Sequence, residues 1–483
     1  MFPSFAKFIS TVALVSCIGL SLGQLIELRS RAESQVATFR TFSLMGKGTS
    51  ELPASEVKRG PATIVLQDGY DLPAVYEQAR PIGEARPTTL ASADFDVDGF
   101  ADLVSGYATA DSGYVVIQRG NPEAFAPTRP ENVEAVSQSR FPVAFLPETK
   151  VIEFTTAPDF IVVGDFDRDT NPDVITASRG DNLLHFAAGD GKGGFAVERA
   201  IAMPGRVTAL TAGQIDLPDN LSDLVVGIEG ENGASLLVYE GANGIADVPL
   251  RYSLRAPAQF LALGELDDSP WSDLAILADG NVSILHGRNQ REGVESAKGA
   301  AARMEKISLP FAAHAMALGG FIYDREGHTE IVLLRGDGSV GFATRGTLDT
   351  RPFTVAEAQE RRRLHISGEN IKPLYNWNRS NTESWSVEEN LSVMDSSFVR
   401  QTGNLSAPVM FSANLSGQAA DDLVVVDAAA QQLKVFAVEA PPKVDGEFVS
   451  FAGRRTQMSL PATSAPVAAL SMRVSLHVRP WSF

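Results

Sequence analysis

The sequence predicts an all-β protein, a β-propeller of about seven blades, on three observations. The first is a repeat near 50 residues long: strands of small and apolar residues end in Gly164, Gly213, Gly264 and Gly319, at intervals of 49, 51 and 55 residues. The second is the layout of each copy, short apolar runs parted by Gly, Pro and Asp with little helical periodicity. The third is an acidic residue at one place in each copy, Asp102, Asp173, Asp223, Asp273, Glu330 and Asp422, directly before an apolar strand such as Leu224-Val225-Val226. A unit of that size with three or four strands is too thin to bury its own faces, so copies must stack around an axis.

Taken in order, residues 1–23 read as an export signal: Lys7, then an apolar run, then Ser21-Leu22-Gly23 as a small-residue cleavage site. Two alternatives stay open, an uncleaved anchor reaching Ile26 and a lipidated Cys17 in Leu14-Val15-Ser16-Cys17. All three export the chain to the periplasm, cell surface or exterior, and contact with membrane is expected only through that anchor or lipid. Residues 24–60 form a linker region, and 61–483 the propeller, starting with the apolar run Ala62-Thr63-Ile64-Val65-Leu66.

Two intervals between copies are long, with excess at 121–154 and at about 350–405. The second stretch is polar and rich in Trp, Asn and Ser without a strong strand run, which reads as a surface insertion, with a heavily degenerate blade as the alternative. Pro466-Val467-Ala468-Ala469-Leu470-Ser471 resembles the opening strand of a seventh copy, but no acidic residue follows Glu447. That copy is expected to be incomplete.

The acidic loops carry the chemistry. Asp94-Phe95-Asp96-Val97-Asp98-Gly99-Phe100-Ala101-Asp102 places carboxylates at positions 1, 3, 5 and 9, and Asp165-Phe166-Asp167-Arg168-Asp169-Thr170-Asn171-Pro172-Asp173 repeats the pattern. Carboxylates converging on one point repel unless a cation sits among them, and a hard ion with oxygen ligands, calcium above all, suits the set. An EF-hand is excluded, because position 12 is Ser105 or Thr176 and both flanks are strands. The fourth copy keeps Glu265, Asp267 and Asp273 with Ser269 at position 5, a weaker set. Thr170 stands where the first loop has glycine, at a cost if the backbone there is left-handed.

These residues resemble the FG-GAP/VCBS repeat, the blade unit of integrin α-chain propellers and of many exported bacterial proteins. The likeness covers roughly residues 90–438 and extends to the Gly-rich turn Asp190-Gly191-Lys192-Gly193-Gly194-Phe195. It implies a propeller with Ca2+ in the loop joining the first two strands of some blades. Carried over residue by residue, the ligands are Asp94, Asp96, Asp98 and Asp102, and Asp165, Asp167, Asp169 and Asp173, each shell completed by a backbone carbonyl near Phe100 or Asn171. The weaker set is Glu265, Asp267 and Asp273.

The chain's 483 residues are 44% hydrophobic and 21% charged, with a formal net charge of -18, a balance that repels nucleic acid. With Cys17 the single cysteine, no intramolecular disulfide forms. The tripeptides Arg179-Gly180-Asp181 and Arg335-Gly336-Asp337 match the integrin-read RGD, but both fall in hairpin turns that select Gly and Asp on backbone grounds. Gly189 to Gly194 satisfies G-x-G-x-x-G without a following helix, so it is a turn and not a nucleotide site. His185 and His286 lie on corresponding third strands, where packing is the expected role. Trp377 and Trp385 suit either sugar stacking or anchoring of the insertion. No H-E-x-x-H, G-x-S-x-G or Walker lysine is present. The expectation is an exported calcium-binding module for an extracellular protein or glycan, with a polysaccharide lyase-like enzyme as the alternative; enzymatic activity is left open.

Overall fold

The computed structural model describes residues 85–470, apart from stretches within that span of which the longest are 288–302, 364–383, 393–409 and 439–454. The signal, the linker, the apolar run at 62–66 and Trp377 lie outside the described residues. Among the described residues no helix is long and apolar enough to cross a membrane.

Among the described residues the strands form six four-stranded sheets, each an antiparallel meander in chain order. Blade one is β1 (Arg86–Ala93), β2 (Asp102–Ala108), β3 (Gly113–Gly120) and β4 (Phe145–Phe154). Blade two is β5 (Phe160–Gly164), β6 (Asp173–Ala177), β7 (Leu183–Ala187) and β8 (Arg199–Ala202). Blade three is β9 (Arg206–Gly213), β10 (Asp223–Gly230), β11 (Gly233–Tyr239) and β12 (Leu250–Ser253). Blade four is β13 (Ala258–Gly264), β14 (Asp273–Ala278), β15 (Asn281–Leu285) and β16 (Met304–Ile307). Blade five is β17 (Ala313–Gly319), β18 (Glu330–Arg335), β19 (Ser339–Arg345) and β20 (Trp385–Ser392). Blade six is β21 (Met410–Ala413), β22 (Asp422–Asp427), β23 (Gln432–Val438) and β24 (Arg455–Pro461). The first strand of each sheet lies beside the first strand of the next, from β1 through β5, β9, β13 and β17 to β21. That succession of inner strands is the architecture of a β-propeller.

Burial explains the sequence texture. Every residue of β6 and β22 is buried; β6 packs against a neighbouring blade on both faces, Val174 with blade one and Ile175 with blade three. Such strands read as continuous apolar runs and not as alternation. The outer strand β8 has no buried residue. The cores lie between blades: Phe166, Ile175 and Leu184 of blade two pack with Val207, Leu224 and Val226 of blade three, and Val332, Leu334 and Val340 of blade five pack with Leu423, Val425 and Phe436 of blade six. Each such side chain contributes roughly 2 kcal/mol by leaving water. A blade alone loses most of that gain, which is why the repeats stack. The glycine ending a first strand admits the next blade: a Cβ at Gly319 would lie 2.6 Å from Cβ of Ser412 on β21.

Two expectations are corrected, and one long interval is accounted for. Six blades are described where about seven were expected, and Ala468, Ala469 and Leu470 of the supposed seventh copy form no strand. The excess at 121–154 contains two short helices, α1 (Pro122–Phe125) and α2 (Pro130–Ser137), between β3 and β4. The stretch read as a surface insertion, with a degenerate blade as the alternative, supplies β20, the outer strand of blade five, which pairs with β19 from Arg345↔Trp385 to Ser339↔Ser392. Its charged, polar residues hid it, since an outer strand needs little apolar surface.

Candidate metal centres

All six blades share one corner, and its anchor is the acidic residue that opens the second strand. Asp102, Asp173, Asp223, Asp273, Glu330 and Asp422 are all buried. One carboxylate oxygen of each accepts the backbone N–H of the residue turning out of the first strand: Phe95 at 2.9 Å, Phe166 at 2.8 Å, Ile215 at 2.6 Å, Leu266 at 3.0 Å, Ile322 at 2.9 Å and Leu415 at 2.7 Å. In blades one, two and four the other oxygen accepts the N–H of a glycine at the end of the third strand, Gly120, Gly189 or Gly287, at 2.7–3.0 Å. A charge-assisted bond of this kind contributes about 1.5–3 kcal/mol. The ninth-position acid therefore joins three strands of its blade whether or not a metal is near.

Successive corners also interlock. The carbonyl of Phe95 accepts the N–H of Gly193 from the Gly-rich turn of blade two at 3.0 Å, and the Phe95 and Phe195 rings meet edge to face with centroids 5.2 Å apart. The carbonyl of Phe166 accepts the N–H of Ile245 of blade three at 3.1 Å, and that of Asp165 accepts Ser222 at 2.8 Å. Whatever holds an acidic loop thus also holds the seam to the next blade.

In the first loop Asp94, Asp96 and Asp102 each bring one carboxylate oxygen to within 4.8 Å of the others. Asp94 caps the turn, its Oδ1 accepting Asp98 N–H at 3.0 Å and its Oδ2 accepting Gly99 N–H at 2.8 Å. Asp98 is not one of the converging three; its Oδ1 accepts Phe100 N–H at 2.9 Å. The Asp96 side chain is 5% exposed, its two buried oxygens form no hydrogen bond, and its ion-pair partner is the Arg119 guanidinium. Burial pushes Asp102 up to about 6, with nearby Asp96 and Asp94 adding to the rise and the N–H bonds opposing it. Burial raises Asp94 and Asp98 as well.

The second loop repeats the geometry. Asp165, Asp167 and Asp173 converge, whereas Asp169 turns to Asn171, accepting its backbone N–H at 2.8 Å and its side-chain amide at 3.0 Å. Asp165 accepts the N–H groups of Arg168 at 2.7 Å and Thr170 at 2.8 Å. Burial pushes Asp173 up to about 7 and raises Asp167. Thr170 has φ 73, the left-handed conformation that Gly99 adopts in the first loop with φ 89. The strain foreseen from sequence is therefore present. Three oxygen donors, a tight turn and like charges, of which Asp165 and Asp173 are buried, suit a hard dication.

Blade four differs. There Asp267 and Asp273 converge with His286, and Glu265 is not in the group. His286 Nδ1 lies 3.0 Å from Asp267 Oδ2 and 3.1 Å from Asp273 Oδ1, and Nε2 lies 2.9 Å from Glu305 Oε2. Its hydrogen bonds to Asp267 and then Asp273 hold the imidazole up to about 10 against the pull of burial. Glu305 is itself fixed from blade five: Trp385 Nε1 donates to its Oε1 at 3.1 Å, and Arg345 Nη2 to its Oε2 at 3.3 Å. The third loop, which keeps Asp216, Asp219 and Asp223 in the sequence with one extra residue, has Asp216 and Asp219 outside the described residues, as the fourth has Ser269.

The remaining motifs find structural roles. Arg179 stacks over the Phe160 ring at 4.6 Å and donates to the Thr208 carbonyl, while Arg335 stacks over Phe311 at 3.9 Å. Both RGD arginines are thus held against their own propeller. Trp385 anchors β20 to blade four. His185 is buried, its Nε2 3.1 Å from Thr156 Oγ1. Registers Thr176↔His185 and Leu274↔Leu285 place His185 within its strand and His286 just past the end of its own, so the two are not at corresponding positions. Sequence reading missed Arg119, His286 and Glu305 as loop partners, since each comes from a strand well after the loop it serves.

No family model matches the chain, and no curated protein matches it. Solved structures do. Among them are BBS1N in complex with ARL6DN (12% identity, TM-score 0.40, covering 80% of this chain and 84% of that one) and the Pseudomonas aeruginosa periplasmic gluconolactonase PpgL (12%, 0.41, 79% and 86%). A third is an Agrocybe aegerita lectin that recognises non-reducing terminal N-acetylglucosamine (12%, 0.40, 79% and 81%). At that level of likeness they say nothing of what this chain binds.

Proposed function

We propose that this chain is an exported, calcium-stabilised propeller of the FG-GAP/VCBS kind that binds an extracellular protein or glycan. The observation that carries the calcium reading is the convergence of Asp165, Asp167 and Asp173, and of Asp94, Asp96 and Asp102, in loops whose backbone is gripped by the following blade. Calcium there serves the fold, neutralising the loop and stiffening the seam between blades.

The binding reading draws on the opposite ends of the strands. Between blades one and two a shallow depression is lined by Thr109, Asp111, Ser112, Thr156, Ser178 and Asp181, among others. Hydroxyls and carboxylates on a polar, open surface are the donors and acceptors that sugar hydroxyls use. The test has two arms. Thermal unfolding is compared with calcium and with chelator; an unchanged Tm sinks the calcium reading. A glycan array is then probed with the wild type and with Asp111→Ala and Asp181→Ala; glycan binding lost in both variants supports this surface, and binding that survives in both moves the ligand elsewhere.

A further inference from the structure

The three convergent loops differ at one place that lies outside them. Strand registers fix the correspondence: Leu103↔Gln118, Val174↔Ala187 and Leu274↔Leu285 are equivalent pairs, so Arg119, Ala188 and His286 stand at the same position. Each directly precedes the glycine, Gly120, Gly189 or Gly287, whose N–H binds the buried acid. A side chain at this position therefore starts beside the carboxylate cluster. In blade one it is a guanidinium paired with Asp96. In blade four it is an imidazole bridging Asp267 and Asp273. In blade two it is a methyl group.

We infer that this position sets the cation of each loop: Ala188 leaves the second loop open to a free dication, and Arg119 supplies the positive charge of the first and lowers its affinity for metal. The inference rests on the calcium reading and names which loop binds. Asp96 shows the competition directly, because its nearly inaccessible side chain makes no hydrogen bond and its charge is met by Arg119. A dication coordinated by Asp96 must move that guanidinium. The arginine is held from above as well: a Cβ added to Gly193 of blade two would lie 3.5 Å from Arg119 Cδ, so the Gly-rich turn lies across its aliphatic stem. Arg119 Nε is buried without a hydrogen-bond partner, so this internal cation is incompletely satisfied and is weakened as a competitor, not locked. One charge removed from such a half-buried site is expected to change metal affinity by about tenfold or more.

The test is calcium titration of the full chain by calorimetry, with stoichiometry checked by equilibrium dialysis. The wild type is expected to show one tight site and a second at least about tenfold weaker. Asp167→Asn should remove the tight site, which assigns it to blade two. Arg119→Ala should tighten the second site about tenfold, and Arg119→Met, which keeps the stem under Gly193, should do the same if the alanine variant folds poorly. Ala188→Arg should abolish tight binding. Two equally tight sites in the wild type, or a weak site unmoved by both Arg119 variants, overturns the inference while leaving the calcium reading intact. No calcium bound by the wild type or by Arg119→Met overturns both.

Discussion

The corners of blades two and five use the same acid for different ends. In blade two Asp173 clamps the backbone and also joins Asp165 and Asp167 in a convergent triad. In blade five Glu330 accepts Ile322 N–H at 2.9 Å in the same way, yet positions 1 and 3 of its loop offer no such carboxylates. The acid at the head of the second strand is thus a residue of the fold, present wherever a corner must be turned. Carboxylates at positions 1 and 3 are not needed for that corner, and they are what the proposed calcium site would add. Blade four stands between the two, with a triad whose third member is a histidine.

That division can be broken in order of effect. Asp422 of blade six lies in a corner without a convergent triad among the described residues, so Asp422→Ala should cost about 3 kcal/mol in denaturant unfolding, with or without chelator, by emptying a buried carboxylate site and leaving the partly buried Leu415 N–H without its acceptor. A calcium-dependent loss there would defeat the separation of roles. Saturating calcium should stabilise the wild type by about 2.7 kcal/mol at a hundredfold excess over Kd. Asp167→Asn should erase most of that gain and leave the chelated protein's midpoint almost unmoved.

Acidity offers a third approach, in chelator. Asp102 and Asp173 are raised above the usual carboxylate value to about 6 and about 7, so between about pH 4 and pH 7 the folded state binds more protons than the unfolded state. Stability of the metal-free protein should therefore fall as pH rises through that window, and calcium should flatten the slope. A chelated protein that grows more stable from pH 5 to 7.5 contradicts the assignment. The smallest effect belongs to Thr170: replacing it by glycine relieves a left-handed residue and should raise stability by about 1 kcal/mol, seen as a shift in denaturant midpoint.

The sequence made much of this legible for a local reason. Strand periodicity, turn residues and the 1-3-5-9 spacing are all read within one blade, so Asp94, Asp96 and Asp102 stand out as a group in the sequence alone. Position 5 stands apart: Asp98 and Asp169 have the spacing, but lie outside the converging groups and accept the N–H groups of Phe100 and Asn171. The outer strand β20 was hidden for another reason, because Glu388, Glu389 and Asn390 interrupt the apolar residues by which a strand is read. Arg119 and His286 could have been found by aligning third strands on the glycine that follows each of them.

By itself, then, the sequence determined the repeat, the inner and middle strands and the acid that turns each corner, since these depend on neighbours along the chain. Only the tertiary structure decided which carboxylates converge, that Arg119 and His286 stand among them, and that Glu305, Arg345 and Trp385 tie blade four to blade five. Those residues are brought together by strand pairing and blade stacking, across separations that no spacing in the chain records.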